Sequence, residues 1–205
     1  MKIPFKIETV FNKIFKPQIV TIVETFINDK LQRKFYGKSL TANFLQTLYN
    51  QLGDSSGNFA IPGSYPAQNT IGKRIDGTNI NGAAVFAYEG LIGDVSKGIV
   101  VGSGNVVPTP GDFTLTLIGQ GVGANQLQYQ IQTAPIGTTI TGANTAFTLQ
   151  RLMINASGGD VTVNEIGIYC ISTGTYLHYR DVLSSSDVIP NLSTYRVNIT
   201  FQITT

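Results

Sequence analysis

The chain has 205 residues and a formal net charge of +2, and charged residues make up 13% of it, about half the usual share for a globular domain. This length suits one domain with an appendage, or two small domains, and it can bury a core without disulfide bonds. The single cysteine, Cys170, excludes an intrachain disulfide and a cluster of thiolate metal ligands. No apolar run is long enough to cross a bilayer as a helix, and the charged N-terminus lacks the apolar core of a signal peptide.

Basic residues are concentrated at the start of the chain. Residues 1–50 contain eight basic and three acidic residues, whereas the remaining chain contains six basic and nine acidic residues. A basic helical arm on a slightly acidic body could contact nucleic acid, an anionic membrane or an acidic protein. The same charges could also be no more than the solvated faces of helices.

Residues 1–53 are predicted to form a helical anchoring arm. Apolar residues recur there with helical spacing in three segments, over residues 7–15, 19–31 and 39–52. Pro17 separates the first two segments and Gly37 is a suitable end for the second. An amphipathic arm of this kind commonly binds a neighbouring subunit. The residues that we expect to form its interaction stripe are Phe11, Phe15, Val23, Phe26, Phe44 and Leu48.

The rest of the chain changes in character. Residues 54–82 are rich in Gly, Pro, Asn and Ser and show no period, which predicts an extended loop or linker. From Ala83 onward apolar and polar residues alternate, as in half-buried antiparallel strands. The predicted fold is therefore mainly β with an N-terminal helical region. Residues 83–205 are expected to form an antiparallel β-sandwich, jelly-roll-like, that folds without the first 52 residues.

The usual catalytic patterns are missing. Gly102-x-Gly104 lacks the third glycine of a dinucleotide fingerprint, and prolines follow where a helix should begin, so we predict a turn. His178, the only histidine, lies in an alternating strand pattern with no nucleophile elbow in the chain. We therefore expect no enzyme activity, no cofactor and no zinc site, while a calcium site built from scattered oxygen ligands stays open.

Glu165 is the one unusual carboxylate. In "VTVNEIGIYC", residues 161–170, it takes a position where alternation requires an apolar residue. It could be a catalytic acid, a metal ligand or half of a structural ion pair. If the turn at Gly174 is centred between residues 173 and 174, Glu165 lies opposite Val182 and Arg180 is its diagonal neighbour. Arg151 is a second candidate partner, and a structural ion pair is the favoured interpretation because an unpaired buried charge costs several kcal/mol.

The C-terminal half resembles a module of virion structural proteins of tailed phages and related viruses. The resemblance covers about residues 39–203 and depends on the order of short motifs. These are Gly102-x-Gly104, Asp112 to Leu115, an arginine-led strand that reaches Asn155-x-Ser157, Val163 to Tyr169, Arg180-Asp181, and the preceding segment 39–49. The resemblance implies a structural part of a virus particle, located in the virion and assembled in the host cytoplasm.

We therefore predict a tail, neck or fibre-attachment adaptor that anchors by its helices and makes subunit contacts through its β-sandwich. The alternatives are a receptor- or carbohydrate-binding module of a viral fibre, or a capsid decoration protein. The expected partners are other virion proteins and copies of the chain itself. Nucleic acid is not expected, because the lysines are spread out and the aromatic residues lie on the apolar stripes. Membrane contact by the basic helices is the less favoured interpretation, and no small-molecule ligand is expected.

Overall fold

The computed structural model describes residues 18–45, 88–141, 144–171 and 175–204. Within these ranges the chain forms nine strands and a single helical turn over residues 42–45. The strands are β1 (Gln18–Ile27), β2 (Lys30–Gly37), β3 (Gly98–Gly102), β4 (Gln128–Tyr129), β5 (Thr133–Thr141), β6 (Asn144–Ile154), β7 (Val161–Ile171), β8 (Thr175–Ile189) and β9 (Thr194–Thr204). None of the helical structure in these ranges is long and apolar enough to cross a membrane.

The strands form two antiparallel sheets. Sheet A has the order β2-β1-β9-β6-β4, and β5 also pairs with β6. Sheet B has the order β3-β7-β8. The prediction of a mainly β, antiparallel, sandwich-like body is confirmed. The jelly-roll connectivity stays a prediction.

The helical prediction for residues 19–37 is wrong, because this segment forms the hairpin β1–β2. Its apolar residues fit a helical stripe, but "QIVTIVETFI" is also rich in β-branched residues, which favour strands. Asn28 and Asp29 join the two strands with φ values of 47° and 62°, as a two-residue hairpin turn requires. Pairing of β1 with β9 along its whole length then decides in favour of the strand.

This pairing also moves the boundary of the β body. The predicted body begins at residue 83, but β1 is a central strand of sheet A, between β2 and β9. The predicted boundary is therefore wrong, because removal of residues 1–52 would take β1 away and expose one whole side of β9. That residues 83–205 fold alone stays a prediction. Residues 1–17 of the predicted arm and the predicted linker at 54–82 lie outside the described residues.

The predicted helical stripe is not found as a unit. Val23 is a fully buried core residue on β1, and Phe26 lies under the Arg196 guanidinium, 4.2 Å from its carbon to the ring centroid. Phe44 lies on the helical turn, edge-to-face with the ring of His178. The other predicted members, Phe11, Phe15 and Leu48, lie outside the described residues.

After β2 the chain passes from sheet A to the edge of sheet B. Leu40 forms an antiparallel bridge with Tyr179 of β8, and the amide of Thr41 donates to the carbonyl of His178. The Lys38 amide donates to a carboxylate oxygen of Asp181. The hairpin and this crossing segment therefore join the two sheets along one side, and a single cluster of buried apolar residues from both sheets fills the space between them.

Asn155 organises the end of the body where β6–β7 and β8–β9 turn. Its side chain is fully buried, and its amide nitrogen donates to the carbonyls of Gly159 and Ile189. Its side-chain oxygen accepts from the amide and hydroxyl of Ser157. This Asn-x-Ser sequence, one of the motifs of the resemblance, thus builds a turn and links it to the neighbouring one.

Candidate functional site

Glu165 is fully buried on β7, and both of its carboxylate oxygens are engaged. Its Oε1 accepts hydrogen bonds from the amides of Thr116, at 2.6 Å, and Gly104, at 3.1 Å. Its Oε2 accepts from Nε of Arg180 at 2.7 Å. The structure thus brings Glu165 and Arg180 together and adds two backbone donors that the sequence did not indicate.

Arg180 connects Glu165 to a long loop between β3 and β4. Its Nη1 donates to Oδ2 of Asp112 at 2.6 Å, and its Nη2 donates to the carbonyl of Val106 at 3.0 Å. Burial lowers the pKa of Arg180, but its contacts with Asp112 and Glu165 outweigh burial, and the net pKa is raised. The guanidinium stays charged and holds two carboxylates and one carbonyl together.

Asp112 is the more accessible carboxylate of this network. It also accepts hydrogen bonds from the amide and the hydroxyl of Thr109, at 3.0 and 2.7 Å. Partial burial raises the pKa of Asp112, but the bonds from Thr109 and Arg180 outweigh that effect and the net pKa is lowered. Asp112 is therefore held in its charged form, in which it only accepts hydrogen bonds.

The network fixes residues 103–116 across β7. Leu115 lies against Gly167, where an added Cβ would come within 2.7 Å of the leucine side chain. The amide of Leu115 donates to the hydroxyl of Tyr169 at 3.1 Å. Glu165, Gly167 and Tyr169 alternate along β7, so one face of this strand binds the whole segment.

The Gly-x-Gly motif now has a physical reason. A Cβ at Gly102 or Gly104 would come within 2.5 Å of Glu165 Oε1. Glycine is needed at both positions because the backbone approaches a buried carboxylate closely. The predicted turn does not lie at Gly102-x-Gly104: β3 ends at Gly102, which forms a bridge with Leu117, and the chain turns at residues 110–111.

Arg151 does not pair with Glu165, so the second candidate partner is wrong. It is fully buried on β6 and donates to backbone carbonyls instead of to a carboxylate. Its guanidinium also lies over the ring of Tyr129, at 4.9 Å, and burial lowers its pKa. The five carbonyl acceptors are those of Gln130, Lys97, Ile99, Leu91 and Asp94. Arg151 therefore fastens the segment before β3 onto sheet A.

Asp187 forms a second buried ionic contact that the sequence analysis missed. Its carboxylate accepts from the hydroxyls of Thr25 and Tyr195, both at 2.8 Å. It also accepts from Nε and Nη2 of Arg33, at 3.0 and 2.7 Å. Arg33 is one of the eight basic residues within residues 1–50, and only the position of β2 beside β8 reveals the contact, since the two residues are 154 positions apart.

His178 is buried and serves as a packing residue. Tyr88 Oη lies 3.0 Å from its Nδ1, and the rings of Tyr88 and Phe44 both contact it edge-to-face. Burial lowers the pKa of His178 to about 3, so the ring is neutral at physiological pH. Within the described ranges no group of three His, Cys, Asp or Glu residues is placed to hold a metal ion.

Comparison of the chain with protein-family models, with curated proteins and with solved structures finds no match.

Proposed function

We propose that this protein is a structural subunit of a virus particle, and within the particle a tail, neck or fibre-attachment adaptor. The resemblance in sequence is the first support. The motif residues that carry the resemblance share one contact network, in which Glu165 binds Gly104 and Arg180, and Arg180 binds Asp112. In a module that carries these motifs, the motif residues would therefore serve to hold the chain segments of the module together.

One observation carries the proposal. The buried ionisable side chains connect distant chain segments and are engaged by them: Glu165 binds the loop after β3, Arg151 binds the segment before β3, and Asp187 binds the hairpin β1–β2. A general acid or base must be able to reach a substrate proton. The polar atoms of these side chains instead bind other groups of the same chain, as in a structural scaffold.

Two further features fit subunit contacts. The surface carries few charges for its size, and several large apolar side chains are exposed in loops, among them Val106, Val107 and Leu192. Such side chains would add buried apolar area wherever another protein covers them. We propose other virion proteins and copies of this chain as its partners, with no cofactor and no nucleic acid.

The proposal is tested on particles of the virus that encodes the chain. We expect the protein to follow infectious particles through a density gradient in a fixed number of copies per particle. Immunogold labelling with an antibody to the chain should then mark the neck, tail or fibre base. The proposal is wrong if the protein is abundant in infected cells and absent from purified particles. Labelling over the outer surface of the head would favour a decoration protein.

A further inference from the structure

The inner face of sheet A loses its cover toward the end of the sheet at which β1 begins. Residues of this face alternate with residues of the outer face along β1, β9 and β6, so they form rows that cross the three strands. Three successive rows can be compared, and each gives its residues in the order β1, β9, β6. They are Val23, Ile199 and Leu149; then Thr21, Phe201 and Phe147; then Ile19, Ile203 and Thr145.

Exposure to solvent rises from row to row. The side chains of the first row are all fully buried. In the second row Thr21 and Phe201 are buried, and the ring of Phe147 stacks on that of Phe201 at 5.2 Å while staying only partly buried. In the third row Ile19 is 54% exposed and Ile203 is 46% exposed. The apolar inner face therefore continues for one row past the point at which the described part of the chain covers it.

The segment that enters the sheet at this uncovered row is residues 1–17. Its apolar residues recur with helical spacing over residues 7–15, and the lysines at positions 6, 13 and 16 fall on the opposite side of that helix. Only three residues separate Phe15 from Ile19, so even an extended connection keeps their Cα atoms within about 14 Å. A short connection thus joins an apolar stripe that needs a partner to an apolar face that needs a cover.

We propose that residues 6–16 form a helix that lies across the third row and covers it in the same chain. The short connection favours the same chain over a second copy, because it holds the two apolar surfaces at a high effective concentration. This goes beyond the proposed function and does not depend on it. It places Phe11 and Phe15 on their own β body, where the sequence analysis expected a neighbouring subunit.

The spacing of the stripe fits the spacing of the strands. Neighbouring strands lie about 4.8 Å apart, and residues four positions apart in a helix lie about 6 Å apart along its axis. With Phe15 beside β1, Phe11 therefore lies over Ile203 on β9. One further turn places Ile7 over β6.

Maleimide labelling of single introduced cysteines in the full chain tests the cover. Ile203→Cys is the probe, and Val188→Cys, at a position on β8 that is 48% exposed, is the matched control. The native Cys170 is 1% exposed, so it adds little background. We expect the probe to react about tenfold more slowly than the control, because the helix must open before the probe can react. Addition of Phe11→Asp and Phe15→Asp should restore the rate at the probe and leave the control unchanged.

Two results of the labelling would overturn the proposal. One is an equal rate at the probe and at the control in the otherwise wild-type chain, which would show that nothing covers the row. The other is a slow rate at the probe that the two aspartates leave unchanged, which would assign the cover to another segment.

Disulfide formation in the full chain tests the register and the identity of the covering chain. We expect Phe11→Cys combined with Ile203→Cys to form a disulfide within one chain, detected by mass spectrometry of the monomer. Lys13→Cys combined with Ile203→Cys is the control, and we expect about fivefold less disulfide because Lys13 lies on the opposite side of the helix. Equal yields from the two pairs, or disulfides that form only between two chains, would overturn the proposal. None of these results bears on whether the chain is found in virus particles.

Discussion

Replacement of Glu165 by alanine tests the central contact of the structure. The substitution removes the acceptor of two backbone amides, those of Gly104 and Thr116, and one partner of the buried Arg180. Arg180 keeps its bonds to Asp112 and to the carbonyl of Val106. The segment 103–116 thus loses its bonds to Glu165 near both ends and keeps its bonds to Arg180 in the middle.

The expected loss of stability follows from these contacts. Removal of one partner from a buried ion pair costs about 3–5 kcal/mol when the other charge is left uncompensated. Asp112 still compensates Arg180 here, so we expect the lower end, a loss of about 3 kcal/mol in the free energy of unfolding. For a chain of this length that corresponds to a fall in Tm of about 6–12 °C.

Urea denaturation and calorimetry of purified protein measure this effect. Asp160→Ala, which removes an exposed carboxylate at the β6–β7 turn, is the matched control and should change stability by less than about 0.5 kcal/mol. The double variant Glu165→Met with Arg180→Met should recover about half of the loss, because Asp112 keeps its bonds to Thr109. A Glu165→Ala protein within about 0.5 kcal/mol of the wild type would refute a structural role for this carboxylate.

Three further predictions concern other parts of the body. Because burial lowers the pKa of His178 to about 3, the unfolded chain binds a proton below pH 6.5 that the folded chain does not, and stability falls as the pH drops from 6.5 toward 3. His178→Asn should flatten this fall between about pH 6.5 and 5 in urea titrations, and an unchanged slope would contradict the argument. Leu192 is 81% exposed and has a φ of 61°, which is strained for a residue with a Cβ. We expect Leu192→Gly to raise the free energy of unfolding by up to about 1 kcal/mol. A lower Tm of this variant would contradict backbone strain at this position. Phe44 and Tyr88 contact the same imidazole, so the residues on either side of segment 46–87 lie close together. We therefore expect replacement of residues 46–87 by a short Gly-Ser linker to leave a single cooperative melting transition. Loss of cooperative unfolding would contradict this prediction.

Local alternation was enough to predict much of the sheet structure. The period of two around residues 127–131 and 195–203 indicates half-buried strands, and β4 and most of β9 lie there. The same signal failed for residues 19–37, where apolar residues fit both a helix and a strand. Hydrogen bonding of β1 to β9 decided that segment, and its partner lies more than 160 residues away along the chain.

The Glu165–Arg180 pair shows what sequence reasoning reached and where it stopped. Glu165 does lie opposite Val182, as a turn between residues 173 and 174 requires. The pairs nearest the turn, such as Tyr169 opposite Leu177, are one residue out of that register, and an irregularity after Ile168 restores it. The sequence carries no signal for that irregularity. The pairing of Glu165 with Arg180 was therefore predictable, whereas the shift in register between this pair and the turn was not.

The sequence by itself determined strands in the second half of the chain, the absence of an intrachain disulfide and the need of Glu165 for a cation, because these depend on residue types and on neighbours close along the chain. Only the tertiary structure decided which acceptor each cation binds. Arg151 donates to five carbonyls, and Arg33 donates to Asp187 on the opposite sheet. A buried guanidinium must satisfy all of its donors, but any carbonyl or carboxylate that the fold brings near can accept them, so the choice depends on packing between distant segments.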